Sequence, residues 1–527
     1  MQATFNAQAK LDLILRPASA EGGFEGCGRA ALIHVLPGGK VREISHRELE
    51  ELIGKAESLL AGLGVKAGDK VIMTSPNSPE LAATILATLR LGAVAVPIDF
   101  RLTEKELANV AVSPAIAAKA VLVFKPLIKD FAALEAALKE TKGALCDLSE
   151  IHSQTETKRE NGNSTDFENL KAPAVLILTS GTTGTPKGAL HDLESLLRNL
   201  LELGEMANFN KELKALLPVP ISHVLGLEVL IIGLVYGSTV IFSEMTIEGI
   251  IAANNKFNPE VLVGVPTIYG AFVTLPPGTI NLENSQVLLC GGAPLPISLA
   301  EEFHKVFDKR LNNGYGSTES KIIAVNLEGP DQSVGKLVPS VTVKIMGSEG
   351  KEMPEGEPGE IIICGDTLML GYVGQEEATK QVIYDGGYHT GDIGYVKGQY
   401  LYISGRAKEL IIVAGNKVFP AEVEDVLRAQ GIVKEVAVIG VPHSKLGQIV
   451  KAHIVIDGEQ SEALDKAIAG GDDEAKKTIR QGLIKTMRDY CAEHLKRELR
   501  PMEWEFYTST HPLPRTSAGK IDKKQLT

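Results

Sequence analysis

Apolar residues return every three or four positions across residues 45–63, where Leu49, Leu52, Ile53, Ala56, Leu59 and Leu60 share one face. That spacing predicts an amphipathic helix. Ser45 and Glu48 open it with the pattern of a capping box, in which two otherwise unpaired backbone N–H groups are satisfied reciprocally. Residues 70–74 form a short apolar run that reads as a strand, residues 80–91 return to helical spacing, and residues 92–97 read as a second strand. The alternation continues through the apolar runs 120–124 and 174–178. Strand–helix–strand order of this kind predicts parallel sheets covered by helices. The longest apolar region, residues 224–242, is interrupted by Glu228, Gly233, Gly237 and Ser238. A membrane span needs about 20 apolar residues, so this region predicts buried core.

The pattern changes twice further on. Residues 341–346 and 360–364 read as strands around a Gly/Pro/Glu-rich turn at 347–359, which suggests a β-rich subdomain over about 330–403. After Arg406 a small α+β unit begins, with strands at 410–413, 435–439 and 454–456 and a helix at 421–429. The polar stretch 151–170 reads as a surface connection, and the acidic, glycine-containing stretch 458–473 as a loop insertion. No internal repeat is visible.

A chain of 527 residues has room for about three or four compact units. With 66 acids against 54 bases the net charge is −12, which argues against a nucleic-acid surface but not against a nucleotide ligand held by a local cluster. The five cysteines form no C-x-x-C pair, which fits a reducing compartment better than a disulfide framework. No histidine pair has metal-binding spacing, so no structural metal is expected. The first ten residues carry no basic region followed by an apolar stretch. The expectation is a cytoplasmic protein with no secretory signal and no transmembrane segment. Oligomeric state is not encoded in any feature of the pattern.

The densest chemistry lies directly after the apolar run 174–178, in Thr179-Ser-Gly-Thr-Thr-Gly-Thr-Pro-Lys-Gly188. Its glycines permit tight turns and close backbone approach. Free N–H groups and hydroxyls then suit an anion, and Lys187 adds a point charge of the right sign. The Walker A pattern fails here, because Pro186 stands where its second glycine belongs and Gly188 follows the lysine instead of Ser or Thr. A plain Gly/Thr surface loop is the alternative reading of the composition.

The wording of residues 179–188 resembles the phosphate loop of the adenylate-forming superfamily, which comprises acyl-CoA synthetases, amino-acid adenylation domains and luciferases. Six further segments resemble the same family in the same order: Gly291-Gly-Ala-Pro-Leu295, Asn313-Gly-Tyr-Gly-Ser-Thr-Glu319, Tyr388-His-Thr-Gly-Asp392, Gly405-Arg-Ala-Lys-Glu-Leu-Ile411, Pro420-Ala-Glu-Val-Glu424 and Leu513-Pro-Arg-Thr-Ser-Ala-Gly-Lys-Ile521. They cover the chain from about residue 174 onward. The resemblance is closest to the AMP-forming acyl-CoA synthetases. It implies an α/β fold: a large N-terminal domain of parallel and mixed sheets covered by helices, residues 1–405 with its β-rich subdomain, and a small mobile α+β C-terminal lid, residues 406–527.

It also implies roles. Thr179, Ser180, Gly181, Thr182, Thr183, Gly184 and Lys187 would hold the β- and γ-phosphates of ATP. Glu319 would be a ligand of Mg2+, Thr318 a contact to the α-phosphate, and Tyr315 a stacking plane for adenine. Gly292, Ala293, Pro294, Asn313, Gly314 and Gly316 would complete the nucleotide site. Asp392 and Arg406 would reach the ribose. Lys520 would bridge the carboxylate and the α-phosphate, and Lys408 would be the hinge of the lid. His223 would stand between the acid pocket and the thiol tunnel, with Val224, Leu227, Gly264, Val265, Gly291 and Gly292 as further pocket walls. Each has a plainer alternative: a solvated Glu at a helix start, a turn Asp, a surface Arg, a solvated tail Lys, a buried core His.

Amino-acid adenylation domains place an aspartate near this pocket to bind the substrate amine. Residues 222–228 read Ser-His-Val-Leu-Gly-Leu-Glu, with no Asp, which favours a plain carboxylic acid, an aliphatic one or an aryl one. The expected partners are therefore a small carboxylic acid, ATP and CoA, with a pantetheinyl carrier protein as the alternative acceptor. A nucleotide- or acyl-binding regulator without turnover is the reading from outside the enzyme class. The chain departs from the family pattern at Asp385-Gly-Gly-Tyr388, at Pro442-His-Ser-Lys445 and in the stretch 458–473.

Overall fold

The structure is a computed structural model that describes residues 12–15, 17, 24, 28–140, 143–156, 170–179, 187–515 and 521–526. The chain divides into two compact units. The first is Met1–Leu295 with Glu302–Val343 and Ile363–His389, and the second is Pro296–Glu301 with Lys344–Ile362 and Thr390–Thr527. The protein is a mixed α/β fold with a large N-terminal part and a smaller C-terminal one, as the sequence pattern predicts.

The first unit holds a seven-stranded sheet. Its spatial order is Gly371–Tyr372, Lys187–Asp192, Pro173–Thr179, Val94–Ile98, Lys70–Thr74, Ala120–Val123 and Ala144–Asp147. The last five run parallel, and Lys187–Asp192 returns antiparallel on Pro173–Thr179. Val94–Ile98 and Ala120–Val123 are buried at every position, as strands covered on both faces must be. The helix predicted from residue 45 is His46–Gly62, and Ser45 and Glu48 form both hydrogen bonds of the capping box.

A nine-stranded sheet completes the unit. Five of its strands, Val287–Cys290, Val261–Gly264, Lys214–Leu216, Thr239–Phe242 and Ala30–Val35, run parallel side by side. Asn312–Ser317 continues them in parallel, and Lys321–Val325 turns back antiparallel. The apolar region 224–242 is core: the helix Val224–Tyr236 buries all but its ends, and Gly237 ends it at φ 68°. A side chain at that left-handed position would be strained, so glycine fits there. Among the described residues no helix is long and apolar enough to cross a membrane.

Between residues 342 and 406 the chain forms a five-stranded sheet from Thr342–Met346, Gly359–Cys364, Gly387–Lys397, Ile383–Tyr384 and Tyr400–Arg406. The short helix Glu376–Lys380 interrupts this β-rich stretch.

The second unit builds its own sheet from Asn416–Val418, Ile411–Val413, Gly447–Ile456, Val433–His443 and Glu503–Tyr507. The stretch 458–473 is not a loop insertion. Gly458–Ala469 is a helix whose Ser461, Leu464 and Ala467 are buried at a spacing of three, and Leu464 enters the unit's core. The long helix Asp473–His494 follows, anchored by Leu483, Met487 and Cys491 at a spacing of four. Polar residues on the other faces outnumber these anchors and hide the period.

Candidate active site

Thr179 and Lys187 are register partners that close the two strands around the glycine–threonine loop. Ser180, Gly181, Thr182, Thr183 and Gly184 lie outside the described residues, as does Lys520. Lys187 projects its ammonium 4.9 Å from the ring centroid of Tyr372, which pairs in the neighbouring strand. The Tyr372 hydroxyl donates to Glu319 Oε1 at 2.6 Å. Burial first, and then the negative Glu319, push the Tyr372 phenol well above its usual range, so it stays a donor at any ordinary pH. The Met369 N–H also donates to the Glu319 carbonyl at 2.7 Å. The loop-end lysine, this tyrosine and the candidate metal carboxylate therefore converge.

Glu319 does not start a helix. It sits in the tight turn between the antiparallel strands Asn312–Ser317 and Lys321–Val325, closed by a 2.9 Å contact between the Ser317 and Ser320 hydroxyls. A β-carbon on Gly316 would lie 2.5 Å from the Lys321 carbonyl oxygen, so this turn requires glycine there. Tyr315 and Thr318, on either side, are half-buried.

Gly264 and Cys290 end two neighbouring parallel strands side by side in register, and Asn313, near the start of the next strand, pairs with Cys290. Open α/β sheets bind ligands at that edge. Gly291 and Gly292 continue from Cys290, followed by Ala293 and Pro294, and Gly314 continues from Asn313. A β-carbon on Gly291 would be 3.4 Å from Leu225, and one on Gly292 3.6 Å from Val265. The structure thus brings Gly291 to the first turn of the helix that carries Val224 and buried Leu227, and sets Val265 beside Gly292.

His223 is exposed at the N-terminal end of that helix and is not a core histidine. Its Nε2 lies 3.0 Å from Asp99 Oδ2. Asp99 also accepts from Arg101 Nε at 2.9 Å. Burial pushes the Asp99 carboxyl up, but hydrogen bonds from Arg101 and His223 outweigh it and hold the group well below the usual carboxylate range. The ionised Asp99 accepts the His223 Nε2–H and orients the ring. Sequence reasoning missed Asp99, which lies 124 residues from His223. It missed Tyr372 for the same reason.

In the second unit, Asp392 and Arg406 are cross-strand partners, with Arg406 Nε 2.7 Å from Asp392 Oδ1. Asp392 is 6% exposed, and its N–H donates to Thr390 Oγ1, which in turn donates to the Ile361 carbonyl. Lys408 is exposed in the 3-10 turn Ala407–Glu409. The chain flanking Lys520 is closed by a bridge between Arg515 and Ile521 and by the Asp522 N–H on the Pro514 carbonyl at 2.8 Å. Leu513, Ile521 and Leu526 pack with Ala437 and Val455, and Arg515 holds Glu435 with both carboxylate oxygens at 2.6 Å.

Residues 24–373 match the sequence profile described as AMP-binding enzyme, and residues 422–520 the one described as AMP-binding enzyme C-terminal domain. The chain belongs to the AMP-binding enzyme family. A feruloyl-CoA synthase from Amycolatopsis sp is 32% identical, over 79% of this chain and 86% of the relative. The long-chain-fatty-acid–CoA ligase FadD13 of Mycobacterium tuberculosis is 29% identical over 94% of both chains. The crystal structure of ATP-bound MatB from Rhodopseudomonas palustris superposes with a TM-score of 0.81 at 25% identity, covering 99% of this chain and 98% of that one. By family, this AMP-binding enzyme is an AMP-forming acid–CoA ligase.

Proposed function

We propose that the enzyme uses ATP to activate an apolar carboxylic acid as its acyl-AMP and then forms the acyl-CoA thioester. In the first step a carboxylate oxygen bonds to the α-phosphorus and pyrophosphate leaves. In the second the CoA thiol attacks the acyl carbonyl, the thiol proton is released and AMP leaves. The observation that carries this reading is the meeting of Lys187, Tyr372 and Glu319 at the end of the glycine–threonine loop. Two anions must approach each other in the first step, so positioned cations and donors supply much of the barrier reduction.

Lys187 and the loop N–H groups would neutralise the departing pyrophosphate, and Thr318 would hold the α-phosphate. Glu319 offers one carboxylate beside the phosphates, which is the donor set magnesium accepts. The ion, when bound, would neutralise phosphate charge. Asp392 would accept the ribose hydroxyls, steadied by Arg406. Ionised Asp99 would orient the His223 ring beside the acyl and thiol path.

The apolar walls at Val224, Leu227 and Val265 and the lack of an Asp in residues 222–228 favour an aliphatic acid. An aryl acid is the second reading, and the feruloyl-CoA synthase relative supports it. Hydroxylamine trapping of acyl-AMP across aliphatic and aryl acids tests both. No hydroxamate from any acid, with folded protein, would end the proposal. Titrating CoA with a free-thiol readout, in parallel with a pantetheinyl carrier protein, tests the acceptor.

Lys408 would be the pivot between the two half-reactions, because a few torsions in such a turn suffice for domain rotation. Lys408→Pro fixes φ and removes the N–H, and should separate the half-reactions by at least about tenfold in rate. Pyrophosphate exchange and thioester formation from supplied acyl-AMP are measured side by side. Wild-type rates in both would rule the pivot out.

A further inference from the structure

Behind the turn that carries Thr318 and Glu319 lies a buried polar chain with no place in the chemistry above. Lys321 is 1% exposed and has φ 63°, a left-handed conformation that a lysine seldom adopts. Its ammonium donates to Ser195 Oγ at 3.2 Å, to His191 Nδ1 at 3.4 Å and to the Thr367 carbonyl. Ser195 Oγ donates onward to Asp192 Oδ2 at 2.7 Å. Burial pulls the Lys321 ammonium down to about 8, and buried Asp192 opposes that pull with its negative charge.

His191, also 1% exposed, turns its other nitrogen outward: Nε2 lies 2.7 Å from the Thr318 carbonyl oxygen. A carbonyl only accepts, so Nε2 carries the proton. An ammonium only donates, so Nδ1 carries the lone pair. The two neighbours leave the ring one tautomer and one orientation. The hydrogen bonds then run outward from Lys321 through His191 to the peptide joining Thr318 to Glu319. Asn199 steadies the following strand by donating to the Ile322 carbonyl at 3.0 Å.

We propose that His191, set in one tautomer by Lys321, is a positioning residue for adenylation: it fixes the Thr318–Glu319 peptide, and with it the side chains facing the α-phosphate and the metal. The inference rests on the roles given to Thr318 and Glu319 above. A histidine that served folding alone would lower the folded fraction and leave turnover per folded molecule unchanged.

The test compares His191→Gln with His191→Asn in the full-length enzyme. The glutamine amide nitrogen reaches the place of Nε2, whereas that of asparagine reaches only the place of Nδ1. Acid-dependent exchange of labelled pyrophosphate into ATP is measured per folded molecule, with melting curves to count that fraction. His191→Gln should keep kcat within about threefold of wild type, and His191→Asn should lose roughly tenfold or more in kcat, as outer-shell partners of a site commonly do. KM for the acid should stay unchanged in both, and KM for MgATP should rise in the asparagine variant. Equal kcat in the two variants overturns the inference while leaving the adenylation reading intact. No exchange in the wild type, with any acid, overturns the adenylation reading and the inference with it.

Discussion

Replacing Lys520 by alanine should slow acid-dependent pyrophosphate exchange by at least about 10²-fold, the scale of losing one preorganised electrostatic contact. Thioester formation from supplied acyl-AMP should continue at close to its normal rate. The split follows from charge. In the first half-reaction a carboxylate approaches a polyanion, and a cation placed between them counts most in the transition state. In the second the carbonyl is already activated and the leaving group is AMP, so that cation is no longer needed. Unchanged pyrophosphate release in the variant would remove Lys520 from the mechanism. Equal loss in both half-reactions would make it a structural residue.

Glu319→Gln should lower kcat/KM for MgATP by about 10²-fold and raise the magnesium concentration needed for half-maximal rate. The substitution is nearly isosteric, and the amide oxygen can still accept the Tyr372 hydroxyl now bonded at 2.6 Å. The turn is therefore retained and the charge alone is removed. A magnesium titration of the exchange reaction makes the comparison. A variant whose magnesium dependence overlays the wild type would show that this carboxylate is not the ligand.

Local pattern carried much of this architecture into view. Lys70–Thr74 falls where its apolar run begins and ends, and the capping box at Ser45 and Glu48 sets a helix start to the residue. Both are decided by contacts within a few residues. The resemblance of residues 179–188 and 313–319 to family motifs is visible for the same reason, since each motif is contiguous. What the pattern withheld is non-local. Tyr372 joins Lys187 to Glu319 only because Gly371–Tyr372 pairs with a strand that precedes it by some 180 residues. Asp99 meets His223, and Lys321 meets His191, across 124 and 130 residues. No periodicity or spacing encodes such meetings. The helices at 458–494 failed differently: their buried faces are narrow, and charged residues dilute the repeat.

The closure of Arg515 on Ile521, and the packing of Ile521 and Leu526 with Leu513, Ala437 and Val455, fasten the chain on both sides of the segment that carries Lys520. The anchors are apolar and belong to the body of the second unit, so a substitution that loosens them, such as Leu526→Ala, would release the chain end without touching the lysine itself.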